Sequence, residues 1–280
     1  MELEETVKKI RNLEIQGATS VAISGVKAIK KIYDDGGSQE ELEKAAEKIK
    51  DARPTEPALF NALEYVLTSK KFEEALHHFE NAQEKISELG KKTIEDAEEV
   101  YTHCHSSTVV NILEAGYKEH KFAINNTETR PVFQGRKTAR ELSKRGVQVD
   151  HFVDSAARFA LEQSDYMLIG ADAVNVSGDV YNKIGSRMIA EAANNLGVPV
   201  YACTDSWKYH DETERGETVK IEERNPREVW EEPPENARVR NPAFERVPAD
   251  LITGIITEIG VLKPEEFSEK VDQEYPQIFE

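Results

Sequence analysis

The chain has 280 residues, 39% hydrophobic and 32% charged, with a formal net charge of −17; it is long enough to bury a full core and reads as globular with a wet surface. The acidic balance argues against direct nucleic-acid binding, which needs a positive footprint to displace counterions, and an anionic substrate would need a local basic cluster set against this field. No apolar run approaches the roughly 20 residues of a bilayer span, "MELEETVKKIRN" lacks the apolar core of a signal peptide, and two cysteines make no disulfide framework, so a cytoplasmic protein without membrane contact is expected.

Residues 1–95 predict a helical domain. "GATSVAISGVKAIKKIYDD" places Ala18, Val21, Ala22, Val26, Ile29 and Ile32 at helical spacing, with glycines 36 and 37 as a stop. "SQEELEKAAEKIKDA" opens with Ser38 and carries Glu41 three residues on, a capping-box pattern. "PALFNALEYVLTSK" and "FEEALHHFENAQEKISELG" predict two more helices, the second ended by Gly90. Adjacent His77 and His78 have no spaced partner and read as surface residues.

From residue 96 the pattern changes. "EVYTHC", "KFAINNT", "VQVDHFVD", "YMLIGAD" and "VPVYACT" are short and rich in β-branched or aromatic residues, and helical segments at 106–118, 133–144, 155–163 and 183–196 lie between them. This alternation predicts right-handed βαβ units and a Rossmann-like, doubly wound parallel sheet over 96–280, an α/β domain following the helical one. A polar stretch at about 209–248 reads as a long loop, the kind that covers a site or an interface. "LITGIITEIGVL" then predicts a last strand and "KPEEF" the start of a last helix.

Ligands of an open α/β sheet bind beyond the carboxyl ends of its strands. The predicted strands deliver Cys104, the run Thr127 to Arg130, Asp154-Ser155, Asp172, and Thr204-Asp205 with Lys208 to that edge. Cys104 and Asp172 should therefore face one crevice despite their separation in sequence. Cys104 precedes a predicted helix "HSSTVVNIL", whose unpaired N–H groups favour an anion, a thiolate or a phosphate; a buried inert cysteine is the plain alternative. Consecutive His103, Cys104 and His105 diverge and do not make a metal site, and Cys203 reads as core. In "GADAVNVSGDVYNKIGS" the Gly178-Asp179 pair reads as a tight turn, and Asn182-Lys183 as a helix start where the lysine could contact phosphate or sit on the surface. Asp172 could also serve as a cap or turn former. There is no dinucleotide fingerprint, phosphate loop or nucleophile elbow.

"THCHSS", "TETRP", "VDSAA", "GAD", "NKIGS", "SWKYH" and "NPAFE", in that order, together with "RPTEPALFNAL", resemble the fold shared by three groups. These are archaeal ribose-1,5-bisphosphate isomerase, methylthioribose-1-phosphate isomerase, and the regulatory alpha, beta and delta subunits of the exchange factor for translation initiation factor 2. The isomerases carry a cysteine in "THC" and an aspartate in "GAD", matched here by Cys104 and Asp172, which the translation subunits generally lack. The resemblance implies conversion of ribose 1,5-bisphosphate to ribulose 1,5-bisphosphate, with Cys104 as base at C2 and Asp172 as acid on the ring oxygen, and no cofactor. A non-catalytic regulatory or ligand-sensing protein is the alternative. Gly17, Ala18, Arg53, Ser106, Ser107, Arg130, Asn182, Lys183 and Lys208 match substrate-binding positions, a second phosphate calling for the extra cations. Two departures stand out: Gln16 replaces an arginine of an Arg-Gly-Ala signature, and Ser107 stands where a lysine is expected. The family pairs subunits through the sheet domain, so a homo-oligomer, a dimer or a hexamer of dimers, is implied.

Overall fold

The computed structural model describes residues 3–12, 14, 15, 17–210 and 221–279. Gln16 and residues 211–220 lie outside the described residues.

Five helices come first: α1 (Leu3–Arg11), α2 (Ala18–Asp34), α3 (Gln39–Ala52), α4 (Pro57–Ser69) and α5 (Phe72–Thr93). The capping box opening α3 is formed, with Ser38 N–H donating to Glu41 at 2.7 Å and Glu41 N–H to the Ser38 hydroxyl at 3.3 Å. Gly90 does not end α5. The helix runs on to Thr93, and Gly90 lies inside it because a side chain there would meet Ile112 at 2.6 Å; a glycine permits this close helix crossing rather than a stop. Val21, Ile29, Ile49, Leu59 and Leu63 form the helical core.

The remainder alternates: β1 (Glu99–Thr102), α6 (Ser107–Glu119), β2 (Ala123–Thr127), α7 (Gln134–Lys144), β3 (Val149–Phe152), α8 (Ala157–Leu161), β4 (Tyr166–Gly170), β5 (Ala173–Asn175), β6 (Val180–Lys183), α9 (Ser186–Leu196), β7 (Val200–Cys203), β8 (Tyr209–His210), β9 (Phe244–Val247), β10 (Gly254–Thr257), β11 (Gly260–Leu262), α10 (Phe267–Glu274) and α11 (Pro276–Phe279). The main sheet has the order β11-β10-β7-β4-β1-β2-β3, parallel except for the antiparallel β10–β11 pair. Alternate strand residues feed two cores, as a two-residue side-chain period requires. Tyr101, Met167, Ile169, Val200 and Ile255 pack with α8, α9 and α10. Val100, Ile124, Leu168 and Ile256 pack with α6, α7 and the last turns of α5. Helices thus cover both faces, which is what makes the central strands nearly continuous apolar runs.

Three further readings of the sequence need correction. The last strand is a hairpin, β10 and β11, turned around Glu258 and Ile259. Asn182 and Lys183 do not begin a helix; they end β6, and α9 starts at Ser186 behind the left-handed Gly185. The stretch around 209–248 is not simply a loop. Its ends supply β8 and β9 to a second, four-stranded sheet of order β8-β5-β6-β9, and a bridge joins Glu223 to Pro242. Pairing of β6 with β9, some sixty residues later, holds "VYNK" extended; local sequence carries no trace of that partner.

Candidate active site

The strand order reverses beside β1. The chain steps from β1 to β2 and β3 on one side, then returns to lay β4 against the other side. A crevice opens at such a switch point, because the loops leaving the two neighbouring strands depart in opposite directions. Cys104 lies two residues beyond β1 and Asp172 two residues beyond β4, so both loops border this one opening. Gly170, the last residue of β4, allows the approach: a side chain there would lie 2.7 Å from the Ser106 Cβ.

The cysteine loop is held hard. Cys104 adopts a left-handed backbone conformation with φ of 70°, which costs a non-glycine residue roughly 1–3 kcal/mol unless its surroundings enforce it. They do: its N–H donates to the Thr129 hydroxyl at 3.0 Å, and its carbonyl accepts from the Thr138 hydroxyl at 2.8 Å. Thr129 is fixed in turn by Asp154, whose two carboxylate oxygens accept from the Thr129 and Arg130 N–H groups at 2.8 and 2.7 Å. Beside it, His103 is buried between the Thr127 hydroxyl, 2.8 Å from Nδ1, and the Ile184 carbonyl, 3.0 Å from Nε2. Since the carbonyl can only accept, Nε2 carries the hydrogen, and burial lowers the pKa so that the ring stays neutral. His105 turns the other way, to Thr138 at 3.1 Å. The two histidines diverge, and among the described residues no three histidine, cysteine or carboxylate side chains gather as a metal site.

Three cations converge on the crevice from different elements. Lys183 ends β6, Lys208 follows β7, and Arg53 caps α3. Lys208 donates to the Ala171 carbonyl at 2.7 Å, and the Lys183 ammonium stands 4.4 Å from the Phe244 ring centroid. All three act electrostatically on Asp172, and Lys183 acts on Cys104 as well. Burial nevertheless wins for the carboxyl, whose pKa is raised, the three cations only moderating the effect. The Cys104 thiol, 7% exposed, is pushed up to about 11 by burial, against the pull of Lys183 and of the His105 N–H. This overturns the expectation that the helix start would favour a thiolate: Ser106, not Cys104, is the N-cap of α6 and accepts from the Val109 N–H.

The other candidates distribute unevenly. Asn182 sits beside Lys183 and donates to the Ser186 hydroxyl at 3.0 Å. Ser106 flanks the cysteine loop, and Ser107 is exposed on the first turn of α6. Arg130 is exposed and donates to the Val229 carbonyl at 3.1 Å. Gly17 and Ala18 open α2; Ala18 packs into the helical core, and among the described residues no polar contact ties either to the Cys104–Asp172 crevice.

Three residues were not legible as site members. Glu56 is buried, stands 3.5 Å from the Arg53 Nε and shares the field of Asp172 and Lys208. Glu222 lies 3.6 Å from the other end of the same guanidinium and acts on Asp172. His78 is not a surface residue: its ring stacks on Trp207 at 3.9 Å, with Nε2 3.9 Å from Asp205. It supports the turn carrying Lys208, which Asn61 also grips through the Trp207 and Tyr209 carbonyls, each at 2.8 Å. The one available signal was a glutamate immediately before Pro57 at a helix start, where serine, threonine, aspartate or asparagine is usual.

A helical layer followed by a switched α/β sheet, with a thiol and a carboxyl on loops that border one opening, defines a class of two-part α/β proteins. Within that class the chain belongs to the initiation factor 2 subunit family, whose model matches residues 14–264. It is 36% identical to the ribose 1,5-bisphosphate isomerase of Archaeoglobus fulgidus over 283 residues, covering 94% of this chain and 90% of that one. Among solved structures it resembles the translation initiation factor eIF-2B of Pyrococcus horikoshii OT3, with a TM-score of 0.82 at 24% identity over 94% of this chain and 97% of that one. It also resembles 5-methylthioribose 1-phosphate isomerase from the same organism, with a TM-score of 0.76 at 26% identity over 97% and 88% of the two chains.

Proposed function

We propose that this protein is a sugar-phosphate isomerase that converts ribose 1,5-bisphosphate to ribulose 1,5-bisphosphate. The observation carrying this reading is the switch point that sets Cys104 and Asp172 on adjoining loops within one electrostatic field shared with Lys183. The likeness to an enzyme named for that reaction supports the choice of substrate.

The anomeric phosphate blocks ordinary ring opening, so the C1–ring oxygen bond must break as the C2–H bond does. Cys104 takes the C2 proton, the C–H electrons form the C1=C2 bond, and the ring oxygen leaves with the Asp172 proton. The resulting enol then returns its hydroxyl proton to Asp172 while Cys104 delivers its own to C1, giving the ketose and restoring both side chains. Such transfers contribute about 10² to 10⁴ each. The step needs a thiolate beside a protonated carboxyl, one proton between them. A buried thiol holds that proton tightly, and the raised carboxyl pKa narrows the gap for its transfer. Arg53, Lys183 and Lys208 are assigned to phosphate oxygens as charge-assisted partners, with Arg130, Asn182, the starts of α2 at Gly17-Ala18 and of α6 at Ser106-Ser107 as further contacts.

The test is incubation with ribose 1,5-bisphosphate, with ribulose 1,5-bisphosphate read through a coupled carboxylase. Turnover that Cys104→Ser and Asp172→Asn each reduce by at least about a hundredfold is expected; folded protein without turnover at millimolar substrate refutes the reading. A homo-oligomer, a dimer or a hexamer of dimers, is proposed as the working form. The exposed apolar Val132, Val153 and Phe159 on the segments after β2 and β3 support it, and light scattering decides it.

A further inference from the structure

Behind the Cys104 loop lie a buried hydroxyl and an imidazole that serve no step of the mechanism. The inner stripe of α7 consists of Gly135, Thr138 and Leu142. Thr138 is 1% exposed, and a valine of the same shape would fill its place without a polar atom to satisfy. Its hydroxyl donates to the Cys104 carbonyl at 2.8 Å and stands 3.1 Å from Nδ1 of His105. A hydroxyl has one hydrogen, and the carbonyl, which can only accept, takes it. Nδ1 is therefore the donor on the other side. The neutral ring carries its hydrogen there, leaving Nε2 bare towards Glu141 at 3.9 Å. One directed chain results, from the His105 Nδ1–H through the Thr138 hydroxyl to the Cys104 carbonyl.

That carbonyl belongs to the peptide joining Cys104 to His105. In a trans peptide the N–H points away from the C=O, so a bond gripping the carbonyl also aims the His105 N–H, the group that acts on the Cys104 sulfur. A donor on the carbonyl polarises the same peptide and strengthens its N–H, and a second donor behind the hydroxyl adds to this. The grip matters because Cys104 is held at a φ of 70°, a conformation that persists only where the surroundings enforce it. Its platform is rigid. A side chain at Gly135 would meet the Thr127 carbonyl oxygen at 1.7 Å, and Asn126 donates to the Gly135 carbonyl at 2.8 Å, so α7 is pinned against the end of β2. We propose that His105 and Thr138 are positioning residues for the thiol, a relay that fixes the Cys104–His105 peptide with its N–H toward the sulfur. The purpose of the relay rests on the isomerase reading, in which Cys104 takes the C2 proton; its existence does not.

Two spectroscopic measurements need no substrate. Burial and the Lys137 charge hold the His105 pKa below its ordinary value against the pull of Glu141, so the ring is neutral at mildly alkaline pH. With nitrogen-15 histidine, the His105 ring, identified by its loss in His105→Asn, should show hydrogen on Nδ1 and none on Nε2, and should lose this preference in Thr138→Val. Hydrogen on Nε2 in the wild type overturns the relay. With carbon-13 at the cysteine Cβ, the two cysteines give two signals. His105→Phe and Thr138→Val should each move the Cys104 signal and leave that of Cys203 in place, while Thr138→Ser, which keeps the hydroxyl, moves neither. A Cys104 signal indifferent to both substitutions overturns the proposal. Kinetics separate positioning from packing. Thr138→Val should lower kcat by about ten- to a hundredfold with KM within about twofold of wild type. Thr138→Ser should recover kcat, and His105→Asn, whose amide can donate in place of Nδ1, should recover it relative to His105→Phe. Lost stability in Thr138→Val with kcat unchanged also overturns the proposal. A wild type that shows the Nδ1 tautomer and the Cys104 response but no turnover would sink only the functional reading.

Discussion

Alkylation of Cys104 tests the electrostatics of the crevice without assuming any substrate. Burial raises the thiol from 9.0 to about 11, which disfavours the thiolate by about 3 kcal/mol. At pH 7.5 the reactive fraction then falls from about 3 in 100 to about 3 in 10,000, a hundredfold loss of labelling rate. Limited access to a side chain only 7% exposed slows the reaction further, but it does not move the pH at which the rate climbs. The assay is therefore the pH profile: iodoacetamide under pseudo-first-order conditions, with the Cys104 peptide quantified by mass spectrometry, which separates it from the fully buried Cys203. The rate should still rise tenfold per unit at pH 10. Lys183→Met, which removes the largest lowering charge, should shift the profile upward, and Asp172→Asn should shift it downward. A plateau reached below pH 9, or a profile indifferent to Lys183, would refute the placement of thiol, lysine and carboxyl in one field.

Gly170→Ala forces a methyl to within 2.7 Å of the Ser106 Cβ; urea midpoints should show a loss of about 1–3 kcal/mol, accompanied by faster Cys104 labelling as the loop is displaced. Trp207→Ala removes a ring 1% exposed that packs in the helical core and stacks on His78, and should cost about 3–5 kcal/mol with KM rising as the Lys208 turn loosens. Ser107→Lys places an ammonium on the exposed first turn of α6, and steady-state kinetics should show KM falling about tenfold, the worth of one charge-assisted contact; an unchanged KM would mean that no substrate phosphate reaches this turn.

How far the sequence carried depends on whether a residue's role is set by its neighbours along the chain or across space. The helices α2 to α5 and the parallel strands were legible, because their apolar periods and caps are local. So was the placement of Cys104 and Asp172 just beyond the carboxyl ends of two strands, which the strand pattern gives without any distances. Lys183 reads as a helix start because "NKIGS" puts a glycine close behind it, while the strand that pairs with it begins only at Phe244. His78 reads as a surface residue because the aromatic ring covering it belongs to Trp207, 129 positions further on. Gly90 illustrates the limit differently: the glycine was noticed, but whether it ends a helix or admits a neighbouring one depends on Ile112 across the interface.

A protein carrying a net charge of −17 repels the anions it would bind, and three cations in the crevice do not by themselves reverse that, since Glu56, Glu222, Asp154 and Asp172 share their field. Were all four ionised, the site would hold a negative excess and reject a bisphosphate. Burial resolves the conflict: by lifting Glu56 and Asp172 it keeps protons in the crevice at pH values where surface carboxyls have lost theirs. On the proposed assignment, phosphates that engage Arg53, Lys183 and Lys208 would weaken the pull of those cations on the two carboxyls and raise their pKa values further. Binding must then take up protons, so substrate affinity should weaken as pH rises through the titration of the pair. The same desolvation that makes the thiol reluctant to ionise thus makes the crevice receptive to a dianion. The proposed binding and catalysis draw on one physical arrangement, carboxyls whose pKa values desolvation raises among Arg53, Lys183 and Lys208.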